Sequence, residues 1–321
     1  MARRSIWLGV ILVVAAVVTT GVHTGNVGTR SQGDRYMPPV TPWGDPDLQG
    51  AYTNSAERST PLERPADVGS TLTASDVARL NRQREEEEQR TQQWERPLEP
   101  PINSSRGWLV VDPPDGHVPP LTGEALARAS TRAAAAAHQH DEDAPWSSML
   151  LADRCITRGL PNSMMPLGYG NAYEIVQGPG TVAIRYEMIN ETRVIPLHEP
   201  SHVGANVRMY MGDPRGHFEG GTLVVDTTNF TDRTRYRGSS PNLRIIERFT
   251  PIGPTTLEWS VTFDDPATWT RPWTLAMNLT RNDERPLEYA CHEGNRAVRD
   301  ILGARAGRAA RDVSSGSGGD N

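Results

Sequence analysis

Alternation of apolar and polar residues dominates the second half of the chain, from about residue 172 onward. Successive side chains of a β-strand point to opposite faces, so this period of two predicts strands that are buried on one face. Short hairpin connections are predicted at Gln177–Thr181 and Thr250–Thr255, and a turn at Gly216–Gly221. The pattern predicts seven strands: Ala172–Val176, Val182–Met188, Arg193–Leu197, Thr222–Thr227, Leu243–Phe249, Thr256–Phe263 and Trp273–Leu279.

Helical patterns are confined to the first half of the chain. One helix is predicted over Leu72–Trp94, with Thr73 as its N-cap and a run of glutamates between arginines on its solvated face. A second is predicted over Thr122–His138, where Thr122 is the cap and an alanine-rich stretch follows. His138–His140 is interpreted as the exposed end of that helix and not as a metal site.

These elements predict a mainly β protein. Evenly spaced short strands favour an antiparallel barrel or sandwich, similar in rhythm to lipocalin-like barrels, with one or two N-terminal helices. The polar, Gly/Pro-bearing residues 24–42 are predicted to be a linker. A single domain is expected over residues 43–304, followed by a disordered Gly/Ser/Arg-rich tail over residues 305–321.

The N-terminus predicts export. Arg3 and Arg4 precede an apolar run from Ile6 to Val18, which is the layout of a signal peptide over residues 1–23. The run is short for a helix that spans a membrane, although an uncleaved N-terminal anchor is the alternative. The predicted location is the periplasm or the exterior, and the alternative is attachment to the inner membrane through this segment.

Composition excludes several classes of function. The sequence pI is about 5.8, without the basic excess that nucleic-acid binding needs. The 33 basic residues are all arginine, so mechanisms that need a lysine amine, such as Schiff bases and P-loops, are excluded. No cofactor is predicted, and the expected partner is a small-molecule ligand or substrate. Oligomeric state is left open.

The chain contains 2 cysteines, Cys155 and Cys291. An oxidising exported environment predicts that they form a disulfide bond. Such a bond would bring Arg158 close to His292 and Glu293. A histidine beside a carboxylate and an arginine could transfer protons, but the same groups could equally form a salt-bridged lock around the disulfide.

A second candidate site contains Trp269, Arg271 and Trp273, with Tyr289 nearby in the sequence. Two tryptophans and an arginine could stack on a sugar or an aromatic ligand. The alternative is that the tryptophans fill the core of the domain. Glu219 is a further candidate for a ligand-binding carboxylate.

Two patterns, one a pair of histidines and the other a pair of aspartates, are interpreted as structural. His198 and His202 have the spacing of a zinc-protease helix, but Pro200 between them interrupts the helix that such a site requires. No metal is therefore predicted there. Asp264 and Asp265 precede a proline, and this arrangement favours a turn over a catalytic pair.

Five blocks of the sequence have a distinctive composition: Pro46–Asn54, Cys155–Pro161, Gly212–Phe230, Asp264–Trp273 and Tyr289–Asn295. These blocks resemble those of a widespread family of exported bacterial proteins of unknown function. The resemblance covers residues from about Trp43 to Gly303 and implies no particular activity. Tyr52 and Phe218 stand where the family more often has tryptophan, and His198 where it tends to have aspartate.

Two classes of function follow. The first is an exported β protein that binds a small apolar, aromatic or sugar-like ligand. The alternative is an exported hydrolase or lyase that acts on a carbohydrate or aromatic substrate with carboxylate and histidine acid–base chemistry. Sequence leaves open whether the protein is an enzyme.

Overall fold

A computed structural model describes most of the predicted domain, in the ranges 36–69, 71–91, 107–137, 146–199 and 201–304. The predicted signal segment, most of the linker, His138–His140 and the C-terminal tail lie outside these ranges. Within them the fold is mainly β, as predicted. Ten strands form one antiparallel sheet that is nearly closed into a barrel. A single curled sheet selects the barrel over the two-sheet sandwich.

Seven strands agree with the sequence prediction to within a few residues, and three more are added to them. The added strands are β1, β2 and β6. The full set is β1 (Gly50–Thr53), β2 (Val110–Asp112), β3 (Ala172–Gly178), β4 (Thr181–Tyr186), β5 (Thr192–Pro196), β6 (Asp213–Glu219), β7 (Thr222–Thr228), β8 (Arg244–Gly253), β9 (Thr256–Asp264) and β10 (Trp273–Arg281).

The additional strands lack a clear alternating pattern. β1 and β2 contain 4 and 3 residues, too few to show a period. β6 contains Pro214 and Gly216, and the predicted turn at Gly216–Gly221 is wrong over Gly216–Glu219, which belongs to the strand. Proline is tolerated here because β6 pairs only with β7 and is an edge strand. The predicted loop Thr250–Thr255 is also too long, since β8 continues to Gly253 through an irregularity after Pro251.

The strand order places two parallel strands at the edges of the sheet. Nine strands follow one antiparallel path, β5-β4-β3-β1-β10-β9-β8-β7-β6, and β2 pairs with β10 beside β1. Along an antiparallel path with an odd number of strands, the first and last strands run in the same direction. β5 and β6 are therefore parallel and cannot complete the antiparallel ladder, although they lie side by side. We call the junction between them the seam.

Side chains, and not a hydrogen-bonded ladder, close one end of the seam. A Cβ atom at Gly216 of β6 would lie 2.7 Å from Cγ2 of Ile195 and 2.9 Å from Cδ2 of Leu197. Glycine is therefore required for β5 to approach β6 at this level. At the other end, around Gly212 and Asp213, the seam widens into a groove.

Inward-facing side chains fill the space enclosed by the sheet. β8 and β9 alternate strictly between buried and partly exposed positions along most of their length. The largest fully buried side chains are aromatic and come from five strands and two loops: Trp259, Trp269, Trp273, Tyr173, Tyr186, Phe230, Phe249 and Phe263. The interior is thus a packed core, and the groove at the seam lies outside it.

The two long helices begin where the sequence predicts. α1 covers Ala74–Thr91, and Thr73 caps it by accepting a hydrogen bond from the Asp76 N–H at 3.2 Å. α2 covers Gly123–Ala137, and Thr122 accepts from the Ala125 N–H at 3.1 Å. A third helix, α3, covers residues 297–304 of the described chain. None of the helices in the described ranges has the length and apolarity needed to cross a bilayer.

The predicted disulfide bond is confirmed. Cys155 and Cys291 are bonded, with their Cα atoms 5.6 Å apart and a separation of 136 positions in the sequence. The bond ties the exposed segment before α3 to the loop before β3. Other contacts hold the same segment, including a hydrogen bond of 2.8 Å from Arg185 to the Pro286 carbonyl. A disulfide-bonded domain of this kind is consistent with export.

Candidate functional site

The groove at the seam has a volume of about 1220 Å³. Strands β5 and β6 form its two long sides, and the segment before β6 and the loop after β7 complete it. Much of its lining is apolar, a property typical of sites for small organic ligands. The apolar lining residues are Val194, Pro196, Met209, Tyr210, Met211, Pro214, Phe230 and Pro241.

An ion pair lies directly beneath the groove. Arg193 points inward from β5 and donates to both carboxylate oxygens of Glu247 on β8, at 2.5 and 3.1 Å. The Trp259 indole N–H donates to the same carboxylate at 3.0 Å. The two charged side chains are only 2% and 0% exposed. Burial lowers the pKa of Arg193, but Glu247 outweighs this effect and raises it, so the guanidinium stays charged.

A network of polar contacts holds the β6 side of the groove. The buried carboxylate of Asp213 accepts from Arg215 at 2.6 Å and from the Val203 N–H at 2.9 Å, and lies 3.1 Å from Nδ1 of His202. Nε2 of His202 lies 3.6 Å from Asp226. Burial raises the pKa of Asp226, but Arg244 and His202 more than offset this and hold it below its usual value. The network fixes the loop between β5 and β6.

This network also explains His202 in structural terms. The described residues around His198 and His202 form bends and no helix, so the two imidazoles do not share the helical face that a zinc protease uses. His198 lies instead beside Gly180 in the β3–β4 hairpin. Within the described ranges, no group of three or more histidines, cysteines or carboxylates is arranged to hold a metal ion.

Glu191 stands at one end of the groove, just before β5. Its two carboxylate oxygens each lie 2.8 Å from the Thr157 hydroxyl, which donates to them. The main chain of Arg158 also donates to Glu191. Burial raises the pKa of Glu191 above its usual value, and these hydrogen bonds offset only part of the rise. Glu191 is thus a carboxyl group at the edge of an apolar groove with an increased tendency to hold a proton.

The raised pKa of Glu191 predicts a pH-dependent effect on stability. Because the folded chain holds the proton more tightly than the unfolded chain, the Glu191 contribution favours folding at low pH and is lost as the pH rises above about 4.5. Wild-type protein should therefore lose stability relative to Glu191→Gln between pH ~4 and pH ~6. Urea unfolding of both proteins across this range measures the difference. A difference that is constant, or that changes in the opposite direction, would contradict this assignment.

The structure separates the predicted catalytic trio. Arg158 is partly buried near Tyr169, Glu191 and Tyr289, and burial lowers its pKa while these neighbours counteract the effect. His292 and Glu293 are exposed. Within the described chain, their side chains make no hydrogen bond or ion pair with Arg158 or with each other. The disulfide thus brings the segments together, but neither the proton-transfer cluster nor the salt-bridged lock forms as predicted.

The predicted stacking platform is also not assembled. Trp269 and Trp273 are 2% and 0% exposed, and their ring centroids lie 6.1 and 4.2 Å from that of Phe263 in the core. The alternative, that the tryptophans fill the core, is the one observed. Arg271 is exposed and pairs with Asp112 at 3.0 Å.

Asp265 supports a turn, as predicted, by accepting hydrogen bonds from Ser240 and Thr268.

Glu219 lies on the surface at the end of β6, away from the groove. It pairs with Arg248 at 2.5 Å and with His217 at 3.2 Å. The hydrogen bond from Arg248, followed by that from His217, lowers its pKa. Glu219 is therefore a carboxylate in a surface ion-pair cluster and not part of the groove.

The residues that do surround the groove were not among the sequence candidates. One signal was available, because the alternation of β5 and β8 places Arg193 and Glu247 on the buried faces of their strands. Two inward charges of opposite sign predict a buried pair. The other lining residues come from loops without a periodic pattern. Comparisons with known proteins assign no role to the site, since no protein-family model, no curated protein and no solved structure matches the chain.

Proposed function

We propose that the protein is an exported β protein that binds a small apolar or aromatic ligand in the groove at the seam. The observation that carries the proposal is the groove itself, whose volume of about 1220 Å³ and apolar lining suit an organic molecule. A sugar-like ligand has less support, because the predicted tryptophan platform is buried in the core. The periplasm or the exterior is the proposed location, with an inner-membrane anchor as the alternative.

The rigid surroundings of the groove support a binding role. The ion pair of Arg193 and Glu247 and the contacts of Asp213 hold β5 and the start of β6 in place before any ligand arrives. A preformed site loses little conformational entropy on binding, so more of the apolar contact energy remains as affinity. Membership of the exported family that the sequence resembles is a further part of this proposal.

The proposal predicts that filling the groove blocks binding. Val194 is 56% exposed and lines the groove, so Val194→Trp should occupy part of the space. We expect the Kd of the neutral fluorescent probe N-phenyl-1-naphthylamine to rise about tenfold, which corresponds to the loss of roughly 55 Å² of apolar contact. Fluorescence titration of wild type and variant measures the change.

Val176→Trp is the matched control. Val176 is 50% exposed on β3 and does not line the groove, so the same substitution adds the same surface elsewhere. Probe affinity should stay at the wild-type value in this variant. Equal losses in both variants, or no probe binding by wild type, would show that the groove is not a binding site.

A second candidate function is supported by Glu191. A carboxyl group with a raised pKa at the edge of an apolar groove can act as a general acid, and Arg158 lies near enough to influence its charge. This favours the hydrolase or lyase alternative with Glu191, and not His292 or Glu293, as the proton donor. In that case Glu191→Gln should retain probe binding and lose turnover of an ester or glycoside substrate.

A further inference from the structure

The arginines that line the groove differ in how their charges are balanced. Arg193 is paired with Glu247, and Arg215 with Asp213. Among the described residues, Arg208 donates only to main-chain carbonyls, those of Phe230 and Pro241. Within the described chain, the Arg233 side chain makes no hydrogen bond or ion pair. Two guanidinium groups at the groove therefore lack a carboxylate partner in the part of the chain that the structure describes.

The acidic residues of the groove do not supply one. Asp213 is bonded to Arg215, and Asp232 pairs with Arg235 at 3.3 Å. Glu191 is hydrogen-bonded to Thr157 and lies near Arg158. Each of the three carboxylates thus has its own polar partners, and the positive charge of Arg208 and Arg233 is left over.

We infer that the ligand of the groove is an amphipathic carboxylate, with a long apolar body along the seam and its anionic group at Arg208 and Arg233. This inference rests on the proposed binding function and names its ligand class. The apolar body would lie against Val194, Met209 and Met211. Guanidinium groups favour a carboxylate because their planar donors match its two oxygens.

The exposure of the two arginines sets the size of the effect. Arg208 and Arg233 are both exposed, so solvent and salt screen their charge and the carboxylate gains less than it would in a buried pair. Two such contacts should favour a carboxylate over the matching alcohol by about tenfold in Kd. High salt should reduce this preference without changing the binding of a neutral ligand.

The test compares decanoate with decan-1-ol as competitors of N-phenyl-1-naphthylamine. In wild type, decanoate should displace the probe at about one-tenth of the concentration that decan-1-ol needs. In the double variant Arg208→Gln/Arg233→Gln, decanoate and decan-1-ol should displace the probe at similar concentrations, and the ratio of the two concentrations does not depend on how strongly the variant binds the probe itself. Arg237→Gln, at an exposed arginine in the same loop that does not line the groove, should keep the preference for decanoate.

Each outcome bears on a different proposal. If decan-1-ol competes as well as decanoate, or the double variant keeps the preference, the inferred ligand class is wrong while the binding function stands. If the neutral probe does not bind at all, both are wrong. Because Arg208 contacts the main chain, its loss could loosen the loop, so Arg233→Gln alone provides a second test and should lose part of the preference.

Discussion

Replacing both Cys155 and Cys291 with serine should lower the free energy of unfolding by about 5 kcal/mol in the chain-entropy model. The reason is the 136-residue separation between them, since the bond removes a large part of the freedom of the unfolded chain. Cys291 lies in a mostly exposed segment, so little native packing is lost with it. Urea unfolding of the double variant and of wild type measures the difference.

Ala290→Ser is a suitable control for this variant, because it introduces a hydroxyl at an exposed neighbour of Cys291 and leaves the bond in place. Its stability should match that of wild type. If the double cysteine variant is also as stable as wild type, the bond does not restrict the unfolded chain, and the barrel alone accounts for the stability of the fold.

Replacing Arg193 with methionine should destabilise the fold by about 3–5 kcal/mol, because it leaves the buried Glu247 carboxylate without its counter-charge. Among the described residues, the Trp259 N–H would then be the one remaining donor to this buried carboxylate. The double variant Arg193→Met/Glu247→Leu should recover most of the loss, since both charges are removed together. Thermal unfolding should show a fall in Tm on the order of 10 °C for the single variant.

Arg248→Met is the matched control for the buried pair. Arg248 follows Glu247 on β8 but points outward, and its ion pair with Glu219 is more than 40% exposed on both sides. Its loss should cost at most about 1 kcal/mol. Equal effects of Arg193→Met and Arg248→Met would show that burial does not strengthen the inner pair.

The local elements of this fold follow from local patterns. Thr73 and Thr122 marked the starts of two helices because a capping side chain contacts N–H groups only a few residues away. The alternation of β8 and β9 marked both strands because neighbouring positions of a strand face opposite ways. The disulfide was predictable because the chain offers a single pair of cysteines.

The residues of the candidate site were harder to predict from the sequence than the helices and strands. The disulfide correctly joined the segments of Arg158 and His292, but spacing along the chain does not tell which way a side chain points, and His292 is exposed. Trp269 and Trp273 had the composition of a binding platform and proved to be core residues. An aromatic side chain serves either purpose, and only its position in the folded chain decides between them.

By itself, the sequence determined the class of the fold, its helices, most of its strands and its cross-link, all of which depend on residues that are close in the chain or unique in it. Tertiary structure decided where the sheet fails to close and which residues form the groove. β5 and β6 are the two ends of a nine-strand antiparallel path, and the odd number of strands along that path makes them parallel. Glu191, Arg208 and Arg233 meet at one groove only because the whole sheet curls to bring its two edges together.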